Sequence, residues 1–142
     1  MIVAAHLLIR EYYACFNERR LSDAADLFTS DAVLERGPFG TLKSGGEGYL
    51  RLVDSWLRAF PDSKVRIEHV EQRGDTICEV DLILTGSHLG DLEMPGRGVF
   101  KATGAAVSLR VGEVLEIRAS KITYSSVNFD AADLIGQLTR NA

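Results

Sequence analysis

The stretch SWLRAFPDSKVRIEHV, residues 55–70, changes its hydrophobic period at Pro61. Before the proline, Trp56, Leu57 and Phe60 continue a series begun by Tyr49, Leu50 and Val53. Apolar residues three and four apart mark a helix that buries one face. After the proline, Val65 and Ile67 alternate with Lys64, Arg66 and Glu68. That period of two is a strand with one buried face. Proline lacks a backbone N–H and disfavours helical geometry in the residue before it, so the helix ends at Phe60.

Toward the N-terminus the helical period dominates. Residues 3–17 carry Leu7, Leu8, Tyr12, Cys15 and Phe16 at helical spacing. Ser22 is positioned to cap a second helix with Ala25 and Phe28 in its body. AVLE, residues 32–35, reads as a strand, RGPFGTLKSGGEG, residues 36–48, as a loop, and residues 47–60 as the third helix. Toward the C-terminus residues 64–74, 76–90, 105–120 and 121–129 read as strands, and residues 131–138 as a short closing helix. Helices followed by a long antiparallel meander predict an α+β domain, with a curved antiparallel sheet rolled around the N-terminal helices. Such a sheet forms a cone with an apolar interior, suited to a small molecule.

The 142 residues suit one domain, spanning residues 1–142. Hydrophobic residues make up 46% and the net charge is −4, which weighs against a nucleic-acid partner or an anionic membrane surface. The apolar start, MIVAAHLLIREYY, lacks a basic leader region and is too short to span a bilayer, so no membrane segment and a cytoplasmic location are expected. Cys15 and Cys78 form no CxxC pair and read as two buried thiols. No His pair stands four residues apart and no His/Cys cluster occurs, so no metal is expected. Neither SGGEG nor MPGRG has the form of a phosphate-binding loop.

Five segments carry a resemblance. EYYACFNERRLSDAADLFTSDAVLE, residues 11–35, resembles the opening of the nuclear transport factor 2-like superfamily. FPDSKVRIEHV (60–70), GSHLG (86–90), KATGAAVSL (101–109) and SKITYSSVNFDAADLIGQL (120–138) are similar, in order, to motifs of the SnoaL-like polyketide cyclases. Ala102, Ala119-Ser120 and Thr139 depart from the usual Pro, Asp-Gly and Gly of those motifs. The resemblance implies a conical α+β barrel, a homodimer, no cofactor, and an aldol-type ring closure catalysed by an acidic residue. That acid maps onto Asp130, since Gln137 and Leu138 follow at the family's spacing. Tyr12 falls where the related ketosteroid isomerases keep a catalytic Tyr. Their general-base Asp falls at Arg36, a cation, which removes that reading.

Asp130 has two readings. It is either the N-cap of the last helix or an acid at a pocket mouth. If the strand alternates without interruption, Ile122, Tyr124, Ser126, Asn128 and Asp130 share one face, which would be a polar pocket wall. His88, by its family position, would orient the acid or donate to a substrate carbonyl. Tyr12, Phe16, Trp56 and Phe60 lie on helical apolar faces and, with Tyr124 and Asn128, would bind a small apolar or aromatic molecule. Glu35, Glu116 and Arg118 read as solvated charges. The alternative to an enzyme is a binding or interaction module of the same fold, without chemistry.

Overall fold

The computed structural model describes residues 2–139, with side chains from residue 5 onward. Helices α1 (Ile2–Asn17) and α2 (Leu21–Ala25) lead into strand β1 (Phe28–Glu35). A 3-10 turn (Gly37–Phe39) and a two-residue strand, β2 (Thr41–Leu42), precede helix α3 (Gly45–Ala59). Strands β3 (Lys64–Arg73) and β4 (Ile77–Ser87) follow, then a separate small hairpin, β5 (Leu92–Met94) and β6 (Gly98–Phe100). The chain closes with β7 (Ala106–Arg118), β8 (Lys121–Phe129) and helix α4 (Ala131–Thr139).

The main sheet is curved and unclosed, in the order β2-β1-β8-β7-β4-β3. Helix α3 packs on β1 and α1 on β3, so the N-terminal helices cover one face. Ile9, Phe60, Leu109, Leu115, Ile122 and Leu134 are buried between the layers. The α+β class expected from the change of period is the one observed. The sheet differs from an all-antiparallel one at a single seam, where β1 runs parallel to β8. No hairpin joins these two strands, so no turn imposes opposite directions on them.

Three local expectations change. Phe28 starts β1 rather than extending α2, and α2 begins after Arg20 without a side-chain cap from Ser22. Helix α3 begins at Gly45, earlier than expected; this glycine adopts φ +56°, and a Cβ there would lie 2.0 Å from the Thr29 carbonyl oxygen, so only glycine fits. The β5–β6 hairpin turns on the MPGRG segment. Among the described residues no helix is long and apolar enough to cross a membrane.

The change with most consequence lies in β8. Glu116 pairs with Tyr124 but Ile117 pairs with Ile122, so Thr123 is an extra residue, a β-bulge. One inserted residue inverts the alternation beyond it. Ile122 is buried, but the inward residues after it are Ser125, Val127 and Phe129, not Tyr124, Ser126 and Asn128.

Candidate active site

Between α1, α3 and the inner face of the sheet lies a cavity of about 360 Å³. Phe16, Phe39, Trp56, Leu82, Val111 and Phe129 supply much of its apolar wall. Trp56 stands edge-on to Phe39, and Phe39 stacks on Phe129 at 6.0 Å between centroids.

The polar end of the cavity is built around Glu113. Strand β7 alternates buried and less buried residues along its length, with Leu109, Val111, Glu113, Leu115 and Ile117 all inward. The carboxylate therefore occupies a core position and is only 3% exposed. Its Oε2 accepts from the Tyr12 hydroxyl at 3.0 Å and the Ser125 hydroxyl at 2.5 Å. Its Oε1 accepts from the Tyr13 hydroxyl at 2.7 Å. Arg36 Nη2 lies 3.7 Å from Oε2. Arg36 Nη1 also donates to Ser125 Oγ at 3.0 Å and to the Ser125 carbonyl at 3.3 Å.

The arrangement answers a physical demand. A buried carboxylate is costly unless it is paired and hydrogen-bonded. Arg36 balances the charge and three hydroxyls satisfy the oxygens. Tyr12 and Tyr13 are consecutive on α1, with rings 4.8 Å apart, and each reaches a different oxygen of the same carboxylate. Burial first, and the Glu113 charge second, push both phenols well above the ordinary range. They stay neutral donors at any working pH.

The residues expected from the sequence divide into three groups. Tyr12, Phe16 and Trp56 line the cavity. Phe60 and His88 are fully buried behind its wall, in a stack running from Trp56 through Phe60 to His88, with centroid spacings of 4.3 and 5.4 Å. His88 Nδ1 accepts from the Thr103 N–H at 3.2 Å and meets Thr103 Oγ1 at 3.0 Å. The ring thus ties the GSHLG and KATG segments together, and it does not line the cavity.

Tyr124, Asn128 and Asp130 form the third group, outside the cavity lining. Tyr124 donates to Glu35 Oε2 at 2.9 Å on the outer face, while Asn128 is exposed. Asp130 is exposed too, and its Oδ1 accepts the Asp133 N–H at 3.1 Å, the N-cap arrangement for α4. The physical reason is the bulge at Thr123, which turns the expected polar wall outward.

Glu113, Arg36, Tyr13 and Ser125 are absent from the sequence-based list. For Glu113 a signal exists, since it is the one carboxylate in phase with Leu109, Val111, Leu115 and Ile117 in a strictly alternating run. Arg36, the cation that removes the isomerase reading, is the residue that pairs with that carboxylate. Among the described residues no group of three His, Cys, Asp or Glu side chains is placed to hold a metal ion.

The sequence profile of the SnoaL-like polyketide cyclase family matches residues 6–138. No curated protein sequence matches the chain. Solved structures share the fold at low identity. AclR of Streptomyces galilaeus, provisionally described as a hydroxylase, superposes with a TM-score of 0.81 at 21% identity, covering 99% of this chain and 83% of AclR. IdmH of Streptomyces antibioticus, provisionally described as a polyketide cyclase, gives 0.74 at 22% identity, covering 92% and 95%. A Catenulispora acidiphila protein with a ketosteroid isomerase-like fold, in complex with trimethylamine, gives 0.74 at 14%, covering 92% and 90%.

Proposed function

The chain belongs to the SnoaL-like polyketide cyclase family, and on that premise we propose that it is a cofactor-independent acid–base catalyst closing a ring within a small aromatic or apolar carbonyl compound. Family membership supports a cyclase-like function. The finer reading names Glu113 as the acid–base group. One observation carries it: a buried carboxylate, paired with a guanidinium, stands at the polar end of a largely apolar cavity.

The chemistry follows from the arrangement. Oε1 of Glu113 accepts a single hydrogen bond, from Tyr13, and keeps a lone pair for a substrate proton. Glu113 takes that proton from a carbon flanked by carbonyl groups, and the electron pair moves onto a carbonyl oxygen as an enolate. Negative charge leaves the carboxylate and reappears on the substrate, with the Arg36 guanidinium fixed 3.7 Å from Oε2. Such fixed charge compensation lowers the barrier in a water-poor site. The carbanion carbon attacks a second carbonyl of the same molecule, forming the C–C bond. The resulting alkoxide recovers the proton from Glu113. The aromatic walls hold the substrate folded, which turns the bond-forming step into a proximity-driven one.

The test compares Glu113→Gln with Asp130→Asn, following ring closure of aromatic β-dicarbonyl compounds by absorbance. Loss of turnover in Glu113→Gln alone supports the reading. Unchanged turnover in that variant overturns it. Tight binding without any turnover in the unaltered protein would turn the reading into that of a small-molecule binding module.

A further inference from the structure

Arg36 balances the charge of Glu113, but only part of its guanidinium is engaged. Nη1 donates to Ser125 Oγ, to the Ser125 carbonyl and to the Glu35 carbonyl. Nη2 makes no hydrogen bond among the described residues. Glu113 Oε2 lies 3.7 Å from it, within reach of charge attraction and beyond that of a hydrogen bond. Nη2 is also open. Tyr49 Oη and His88 Nε2 are unpartnered and sealed, and Nη2 is not among the atoms sealed in that way. The Arg36 side chain keeps 12% of its surface exposed, against 3% for Glu113. The guanidinium lies across Ser125 and Glu113, which both project from the inner face of the sheet. The open space on that face is the cavity, and Arg36 lines it.

Proton transfer changes what this cation faces. While Glu113 is ionised it cancels the Arg36 charge, and a second anion placed beside them would meet the carboxylate. Once Glu113 holds the substrate proton, that compensation is gone. Glu93, the other carboxylate of the cavity wall, stands at an exposed position. The anion formed in the same step is the enolate oxygen. The departing proton and that oxygen belong to adjoining carbons of one molecule, so one substrate can present its C–H to Glu113 and its carbonyl oxygen to Nη2. We propose that Arg36 is a second catalytic residue, whose Nη2 donates to the enolising carbonyl oxygen. The substrate class is then a neutral carbonyl compound whose acidic C–H adjoins the carbonyl presented to Arg36. The inference rests on the reading of Glu113 as the acid–base group. An interaction that strengthens as the proton moves speeds the step and does not merely tighten binding.

The experiment follows the ionisation of bound 4-nitro-1-naphthol by absorbance. This flat phenol yields an anionic oxygen that stands in for the enolate. Glu113→Gln removes the carboxylate charge, as protonation does. In that variant the bound probe should ionise about one to two pH units lower than free in solution, the effect of an opposite charge nearby. In Glu113→Gln/Arg36→Met, which buries no unpaired charge, the lowering should vanish. Arg36→Lys gives a second measurement on a chain that keeps Glu113 paired with a cation. Its kcat for ring closure of aromatic β-dicarbonyl compounds should fall at least about tenfold, the loss of one charge-assisted hydrogen bond, with KM little changed. An unlowered midpoint in Glu113→Gln, an equal lowering in the double variant, an unchanged kcat in Arg36→Lys, or no binding of the probe would each overturn the proposal. The two readings fail separately. A lowered midpoint in a Glu113→Gln protein that still turns over keeps Arg36 and removes Glu113 as the base. An unlowered midpoint with turnover lost does the reverse.

Discussion

The Tyr13 hydroxyl lies 2.7 Å from Glu113 Oε1, although the two residues are 100 positions apart in the chain. With the Tyr12 contact on the other oxygen, it clamps the first helix to the centre of the sheet.

Replacing that charge tests chemistry and folding together. Glu113→Gln keeps the shape and one acceptor oxygen but leaves the Arg36 charge without its counter-ion, so the denaturant midpoint should fall, while ring closure falls by about 10² to 10⁴-fold, the range for losing a general acid–base group. Glu113→Leu leaves Arg36 buried without its partner and should cost about 3–5 kcal/mol. Denaturant midpoints and turnover, measured on both variants, check the two effects together.

Asp130 should behave as a cap. Asp130→Asn preserves the acceptor for the Asp133 N–H and is expected to change neither turnover nor stability appreciably. Asp130→Ala should cost about 1 kcal/mol through fraying of α4, again with turnover kept. A large loss of turnover in Asp130→Asn would restore it as the acid.

The Phe-Pro-Asp segment makes a pH-dependent contribution. Asp62 accepts from the Ser87 N–H at 2.7 Å and from the Ser87 hydroxyl at 2.8 Å. These bonds favour the ionised form and hold the carboxyl below its ordinary value. A carboxyl whose folded pKa is lowered stabilises the fold fully above its unfolded value, about 3.9. The contribution is lost as the pH falls through the lowered folded value. Asp62→Asn should therefore melt below the unaltered protein at pH 7, and the gap should begin to narrow near about pH 4 and close as the pH falls through the lowered folded value. Melting curves from pH 7 to 2.5 test this.

The GSHLG motif should be sensitive for steric reasons. A Cβ on Gly90 would lie 2.0 Å from the Arg58 carbonyl oxygen, and the Gly90 N–H bonds to the Ala59 carbonyl at 3.1 Å. Gly90→Ala must push the segment away from the end of α3. A loss of more than about 1 kcal/mol is expected from overpacking, read as a shift of the denaturant midpoint.

Much of the architecture was legible from residue order. The period change at Pro61 separates helices from strands, and β8 runs over Lys121–Phe129, the range read from alternation. Tyr12, Phe16 and Trp56 could be assigned to the cavity because helical spacing alone determines which side chains share a face. The inward phase of Glu113 was legible by the same rule, from the run between Leu109 and Ile117. Tertiary structure alone decided the rest. Strand parity is a local rule, and the single extra residue at Thr123 inverts it, which sends Tyr124, Asn128 and Asp130 to the outer side. The site itself gathers Tyr12 and Tyr13 from α1, Arg36 from the end of β1, Glu113 from β7 and Ser125 from β8. No spacing along the chain encodes that meeting. It comes about because a buried carboxylate must find its donors and its cation wherever packing brings them.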